Sequence, residues 1–319
     1  MATGTLSVTH EDRGVRIAYF GMVAAIIAWS ISGIFTRFAQ QEGLSSFLIA
    51  AGRLGLATLV LTPMVVQRHL PEFKRLSRSD WFLLIASGFW LGVHFVMVIA
   101  ALEYTSVMIA SVLNSVGPLW VVLLERVFFK TSPGRIVQGG VLCAVIGAAL
   151  VAVGNGSEMQ VGVNPLLGSL LAIAGAGAGA VYMLVGRAAR KRLTIIPCIW
   201  VIYAIGCVFC SFVMLVTKTQ VTGHTLDGYF WLVLLTIFPQ LIGHSALSFA
   251  LGYLSPTWIS VSSQVAIVVG AVLAFFVFHE QPGPLQLVGS AAILGGVMLA
   301  STAPRRKQDA EVMIESGLD

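Results

Sequence analysis

The chain has 319 residues, of which 57% are hydrophobic and only 10% are charged. A soluble domain carries about 25% charged residues, so this chain cannot cover a water-facing surface and lipid must be its solvent. The formal net charge of +5 comes from Lys and Arg at the ends of apolar segments, where such residues set membrane topology. No basic run is interleaved with aromatic residues, so we expect no nucleic-acid partner.

Hydropathy predicts about ten membrane-spanning helices, because the apolar segments reach the roughly 20 residues that cross a bilayer. The spans are predicted at 17–39, 45–66, 81–101, 105–126, 135–153, 165–186, 194–217, 228–250, 256–278 and 284–302. Residues 1–16 and 303–319 are predicted to be polar tails in the cytoplasm.

The distribution of Lys and Arg predicts the orientation of the chain. With the N-terminus in the cytoplasm, the basic clusters at 74–78, 187–192 and 305–307 all face the cytoplasm, and the outer side receives only Arg37 and Lys218. Positive loops stay in the cytoplasm. We therefore expect a multi-pass protein of the inner or plasma membrane with both termini in the cytoplasm.

The stretch from His94 to Gly147 returns at His244 to Gly296, which indicates an internal duplication. The two halves, 17–153 and 165–302, each contain five predicted spans. Because five is odd, the second half must enter the membrane from the opposite side. The predicted fold class is an all-α membrane protein with about ten transmembrane helices in two inverted five-helix repeats, an architecture typical of secondary transporters.

Ionisable side chains inside apolar spans are the first candidate functional residues, because such groups normally face a cavity or the bundle interior. Arg53 lies well inside the second span. It is either an anion anchor for a substrate carboxylate or phosphate, or a bridge to helix carbonyls or another buried group. His94 and His244 are repeat-mates that could carry a coupling proton or form interhelical hydrogen bonds. Inversion predicts His94 toward the outer leaflet and His244 toward the inner one.

Further candidates are neutral polar or aromatic residues in mid-span. Gln240 shares a helix face with His244, and Gln264 and Asn114 lie on similar polar stripes that are either substrate contacts or interhelical glue. Trp29 lies away from the interfacial belts where tryptophan is common, so it either walls a cavity or packs. Gly175, Gly177 and Gly179 predict a close approach of the sixth span to its neighbours.

Several motifs resemble the drug/metabolite transporter superfamily, in particular its EamA-type ten-helix exporters, over about residues 17–302. Trp29 and Ser30 followed by Gly33 are similar to the start of the family's first span, and Arg53 in Ala-Gly-Arg-Leu is similar to its arginine after an apolar run. The segments 101–106 and 250–255, together with Pro118 and Glu280, resemble the fourth and ninth spans. The resemblance implies the fold described above and makes Trp29 and Ser30 candidate substrate contacts.

These observations favour a secondary transporter that moves a small amino-acid-like, polar or amphipathic metabolite by alternating access, with export implied by the resemblance. The expected partners are the substrate, the lipid bilayer and protons as a coupling ion. We expect no cofactor, metal or enzymatic activity, since no metal motif, nucleotide loop or catalytic triad is visible. The alternatives are an intramembrane enzyme and a channel or structural membrane subunit. The oligomeric state does not follow from the sequence.

Overall fold

The computed structural model describes residues 5–129, 134–154, 164–190, 193–254, 259, 262–279 and 282–302. This part of the chain is helical and contains no β-strand. The first repeat contains α1 (Thr5–Ser30), α2 (Ser32–Gln41), α3 (Ser46–Arg68), α4 (Leu70–Phe73), α5 (Arg78–Tyr104), α6 (Val107–Asn114), α7 (Gly117–Phe129) and α8 (Arg135–Gly154). The second contains α9 (Pro165–Arg190), α10 (Ile195–Val216), α11 (Leu226–Leu235), a π-helical segment (Thr236–His244), α12 (Ser245–Ala250), α13 (Gln264–Phe278) and α14 (Pro284–Thr302).

The helix lengths and the lipid-facing surface confirm the predicted fold class. Seven helical stretches in the described residues are long and apolar enough to cross a membrane. The shorter apolar stretches Arg135–Leu150, Val268–Phe278 and Pro284–Leu299 occupy the predicted fifth, ninth and tenth spans. Large apolar side chains such as Phe20 and Leu215 are 73% and 77% exposed, as expected for a surface that contacts lipid.

Serine and threonine residues define the start of several helices. The Ser45 hydroxyl accepts a hydrogen bond from the backbone N–H of Leu48 where α3 begins. Ser77 and Asp80 form a reciprocal capping box at the start of α5. Such caps satisfy backbone N–H groups that would otherwise remain unpaired at the ends of apolar helices.

Each repeat packs its third span against the first span of the other repeat. The third span, α5, packs along α9, which is the first helix of the second repeat. In the same way the eighth span, through its π-helical segment and α12, packs along α1 of the first repeat. The fifth and tenth spans, α8 and α14, pack along each other. A Cβ atom at Gly147 would lie 2.6 Å from the Gly289 carbonyl oxygen, and one at Gly296 would lie 2.5 Å from the Gly140 carbonyl oxygen. These reciprocal contacts between repeat-mated glycines are the ones a twofold relation between the repeats requires.

Four helical irregularities are absent from the sequence-based prediction. The first helix begins at Thr5, well before the predicted start at 17. The first span is interrupted at Ile31, between α1 and α2. The fourth span is broken at Ser115 and Val116 into α6 and α7. The eighth span adopts π-helical geometry around Pro239, which lacks the N–H that an α-helical hydrogen bond needs. The three irregularities in mid-span all lie beside the cavity described below.

The glycine-rich face of α9 permits the close approach predicted from the sequence. A Cβ atom at Gly175 would lie 2.6 Å from Val98 of α5, and one at Gly177 would lie 3.1 Å from the Trp120 ring of α7. The absence of side chains at these positions therefore lets α9 approach α5 and α7 of the first repeat closely, which brings the repeats together around the cavity.

Candidate functional site

A cavity of about 220 Å³ lies between the two repeats. Its lining comes from the first, second, third and fourth spans of the first repeat and from the sixth, eighth and ninth spans of the second. A pocket between helices that combines apolar walls with a few polar groups is the usual form of a small-molecule site. Its position between inverted repeats is typical of the binding site of a secondary transporter.

The structure brings together most of the residues singled out from the sequence. Six of them line the cavity: Trp29, Ser30, Arg53, His94, Asn114 and His244. Gln240 lies behind Arg53 and is fully buried. Gln264 belongs to α13, and its side chain lies outside the described residues. The Ser30 hydroxyl donates to the Ile26 carbonyl oxygen within its own helix, which leaves it no spare proton to donate to a ligand.

Arg53 joins the two repeats through a side chain rather than through helix carbonyls. It is 2% exposed, and its Nε donates to Oε1 of Gln240 over 3.1 Å. Its Cζ lies 4.2 Å from the centre of the Phe95 ring. Nη2 has no hydrogen-bond partner among the described residues. Arg53 therefore bridges the two repeats, lines the cavity and keeps one donor, Nη2, that is unpaired among the described residues.

The two histidines share the cavity, and their ring centroids lie 6.5 Å apart. The sequence-based placement near opposite leaflets is therefore wrong. The third and eighth spans approach each other near the axis that relates the repeats, and residues related by a twofold axis come together beside it. Nδ1 of His94 donates to the Gly175 carbonyl oxygen over 2.8 Å, whereas Nδ1 of His244 has no partner among the described residues.

Trp29 forms part of the cavity wall beside His244. Their ring centroids lie 5.4 Å apart in an edge-on arrangement, and Nε1 of the indole has no partner within the described residues. The ring fits because its neighbour in the π-helical segment is a glycine. A Cβ atom at Gly243 would lie 2.5 Å from Nε1 of Trp29.

Sequence reasoning missed aromatic residues that complete the site. Phe95 and Tyr182 line the cavity, and the Tyr182 hydroxyl lies 3.1 Å from Oγ of Ser248. The Tyr203 hydroxyl lies 3.1 Å from Oγ of Ser245, at the end of the π-helical segment. The tyrosines could have been noticed because they lie within predicted spans, where a buried hydroxyl needs a partner. Phe95 gives no such signal in the sequence.

Broken helices supply other parts of the wall. Asn114 ends α6, Gly117 begins α7, and both line the cavity together with Pro118. The Asn114 Oδ1 atom is buried and has no partner among the residues described. Irregular backbone within a membrane is tolerated where it lines a cavity, and discontinuous helices form the substrate sites of many transporters.

These features define a multi-pass membrane protein of two inverted repeats with a partly polar cavity between them, which is the general design of a secondary transporter. Comparison with known proteins gives the family. The EamA-like transporter family matches residues 16–153 and again residues 166–302, so each half of the chain matches the family separately. The chain belongs to this family, as its motifs indicated.

Individual relatives agree with this assignment. The chain is 22% identical over 261 residues to "Uncharacterized transporter YdfC" of Bacillus subtilis (strain 168), covering 81% of this chain and 83% of that protein. It is 27% identical over 136 residues to "Uncharacterized transporter YxxF" of the same organism, covering 43% and 44% of the two chains. A solved structure described as "Crystal structure of protein" shares the fold, with a TM-score of 0.64 at 18% identity over 89% of this chain and 96% of that one.

Proposed function

We propose that the protein is a secondary transporter of the plasma membrane that exports a small polar or amphipathic metabolite by alternating access. The observation that carries this proposal is the cavity between the repeats, whose lining residues include four with a buried polar atom that has no partner in the described part of the protein. These atoms belong to Trp29, Arg53, Asn114 and His244. Buried polar groups are normally hydrogen-bonded, so several unpaired ones on residues that line one cavity favour a site that a solute fills.

The cavity volume supports a small substrate. Pockets for drug-sized ligands measure roughly 300–1,000 Å³, and this one measures about 220 Å³. Inverted repeats allow the cavity to face each side in turn, because the two arrangements of the repeats are related by the same symmetry. Family membership supports transport, and the export direction is our extension of it.

The contacts of the histidines favour transport over catalysis. In the described residues, no hydroxyl or thiol lies within hydrogen-bond distance of the His94 or His244 ring. Activation of a serine, threonine or cysteine nucleophile by a histidine needs such a pair. A metabolite that only binds and moves requires no activated nucleophile.

Transport can be tested by filling the cavity. We expect Ser111→Phe, which places a large side chain on the cavity wall, to abolish exchange of solutes in proteoliposomes loaded with a mixed metabolite extract and analysed by mass spectrometry. The matched control is Val60→Phe, which adds the same ring at a side chain that is 57% exposed on the outer surface of α3. Loss of exchange in both variants, or in neither, contradicts the proposal, provided that both proteins unfold at temperatures near that of the wild type.

A further inference from the structure

Arg53 is a buried cation that reaches the cavity without an acidic partner. Its Nε bonds to a neutral amide, Oε1 of Gln240, and its Nη2 has no partner among the described residues. The Phe95 ring beneath Cζ compensates only part of the charge. Since a charge in the membrane interior is normally paired, and Arg53 lines the cavity, a ligand anion beside its guanidinium would be stabilised.

The other groups around the cavity limit the charge of that ligand. No Asp or Glu belongs to the described cavity lining, and Arg53 is its only Lys or Arg. A ligand ammonium group would therefore find neutral acceptors such as Oδ1 of Asn114, with no counter-charge. A second anionic group would find no second cation. The charges present fit a ligand with one negative charge and no positive charge.

The walls indicate what the rest of the ligand is like. Trp29 and Tyr182 present aromatic surface to the cavity. An inorganic anion would leave these walls uncovered. A phosphate monoester would bring about −1.5 to −2 charges at neutral pH, more than one guanidinium balances.

We propose that the cavity binds a small organic monoanion, whose carboxylate pairs with the guanidinium of Arg53 and whose apolar part packs against Trp29 and Tyr182. The proposal rests on the transport function above and names its substrate class. The planar guanidinium suits a carboxylate because two N–H groups can match its two oxygens. A zwitterionic amino acid of the same skeleton is expected to bind more weakly, because its ammonium has no counter-charge in the cavity.

The first test compares ligands of one skeleton and different charge on the purified wild-type protein. The probes are 4-methylpentanoate, its amide and leucine, and 3-phenylpropanoate, its amide and phenylalanine. We expect each acid to bind about 10- to 100-fold more tightly than its amide or amino acid, as for a charge-assisted hydrogen bond. Equal or tighter binding of the amides or amino acids overturns the proposal, and so does a lack of binding by both acids.

The second test neutralises Arg53 without changing the shape of its partner. Gln240→Glu places a carboxylate at the atom that already accepts from Nε of Arg53. We expect the affinity for the acids to fall at least about tenfold while that for the amides stays unchanged. The matched control is Gln220→Glu, the same chemical change at an exposed position outside the helices, which should bind the acids normally. Wild-type affinity for the acids in folded Gln240→Glu overturns the proposal.

Transport measurements separate this proposal from the broader function. Saturable exchange of neutral or zwitterionic solutes, with no exchange of the acids, overturns the substrate class and leaves the transporter function in place. An absence of exchange for every solute in the metabolite extract overturns the transporter function itself. If Gln240→Glu does not fold, the wild-type ligand series still decides the matter.

Discussion

His94 and His244 occupy matching positions in the two repeats, and their rings meet across the cavity with centroids 6.5 Å apart. Their hydrogen bonds differ, however. His94 ties α5 to α9 through the Gly175 carbonyl oxygen, while Nδ1 of His244 has no partner among the described residues. The two histidines therefore occupy equivalent positions but differ in their hydrogen bonds, and we expect their replacement to have different effects.

We expect His94→Leu to lower the stability of the protein and His244→Leu to lower its transport rate. The first change removes a hydrogen bond between helices, worth about 0.5–1.5 kcal/mol, and the second removes no hydrogen bond to a described residue but takes a polar side chain from the cavity lining. Thermal unfolding in detergent and exchange in proteoliposomes measure the two effects. A stable His94→Leu with a destabilised His244→Leu would show that these roles are assigned the wrong way round.

Arg53 should matter more to transport than to folding. Arg53→Lys keeps the charge but loses the planar fork, so we expect transport to fall about tenfold or more with membrane levels near normal. Levels are measured by immunoblot of isolated membranes and transport by exchange. Wild-type transport by Arg53→Ala would rule out the anchor role. Disappearance of that variant from the membrane would instead show that the bridge to Gln240 is needed for folding.

The interface between α8 and α14 depends on glycine. In Gly147→Ala the added methyl group would lie 2.6 Å from the Gly289 carbonyl oxygen and 2.8 Å from the Ile293 amide nitrogen, and these backbone atoms cannot move independently. We expect a loss of about 1–3 kcal/mol in the free energy of unfolding. Gly139→Ala is the matched control, because Gly139 lies in the same helix with open space around its Cβ position. Equal melting temperatures for the two variants would contradict this packing.

Glu72 should make stability depend on pH. Its carboxylate accepts hydrogen bonds from Nδ1 of His69 over 2.7 Å and from the Thr194 amide over 3.0 Å, which joins α4 to the start of α10. Partial burial raises the pKa of Glu72, but these hydrogen bonds outweigh it, so the pKa lies below its usual 4.5. A lowered folded-state pKa stabilises the protein above about pH 4.5, and this contribution is lost as the pH falls through the lowered value.

We therefore expect Glu72→Gln to lower the melting temperature at neutral pH by a small amount, because exposed and half-exposed pairs contribute less than about 1 kcal/mol. The difference from the wild type should stay constant from neutral pH down to about pH 4.5 and shrink below it. Melting curves across this range measure it. A difference that is the same at every pH would mean that the charge of Glu72 is not involved.

The orientation of the chain remains a prediction from its Lys and Arg residues. In a variant without its native cysteines, we expect a cysteine at position 220 to react with an impermeant maleimide in intact cells and a cysteine at position 74 to react only after lysis. Lys74 and Gln220 are both exposed. The reverse pattern of labelling would invert the membrane topology.

The sequence alone determined the membrane environment, the duplicated and inverted architecture and the family, because hydropathy and charge act along the chain and repeat with it. It also singled out Arg53, His94 and His244, since ionisable groups in apolar spans stand out wherever they lie. The close packing of the glycine face of α9 followed from the same local pattern.

Only the tertiary structure decided which of these residues meet. The bond between Arg53 and Gln240, the shared cavity of the histidines and the placement of Phe95 under the guanidinium join parts of the chain that are far apart in sequence. The break in the fourth span and the π-helical segment also depend on neighbouring helices, which provide partners for backbone groups that a regular α-helix would satisfy by itself. Residue types identified the polar groups, but packing between the repeats determined which of them lack a partner among the described residues.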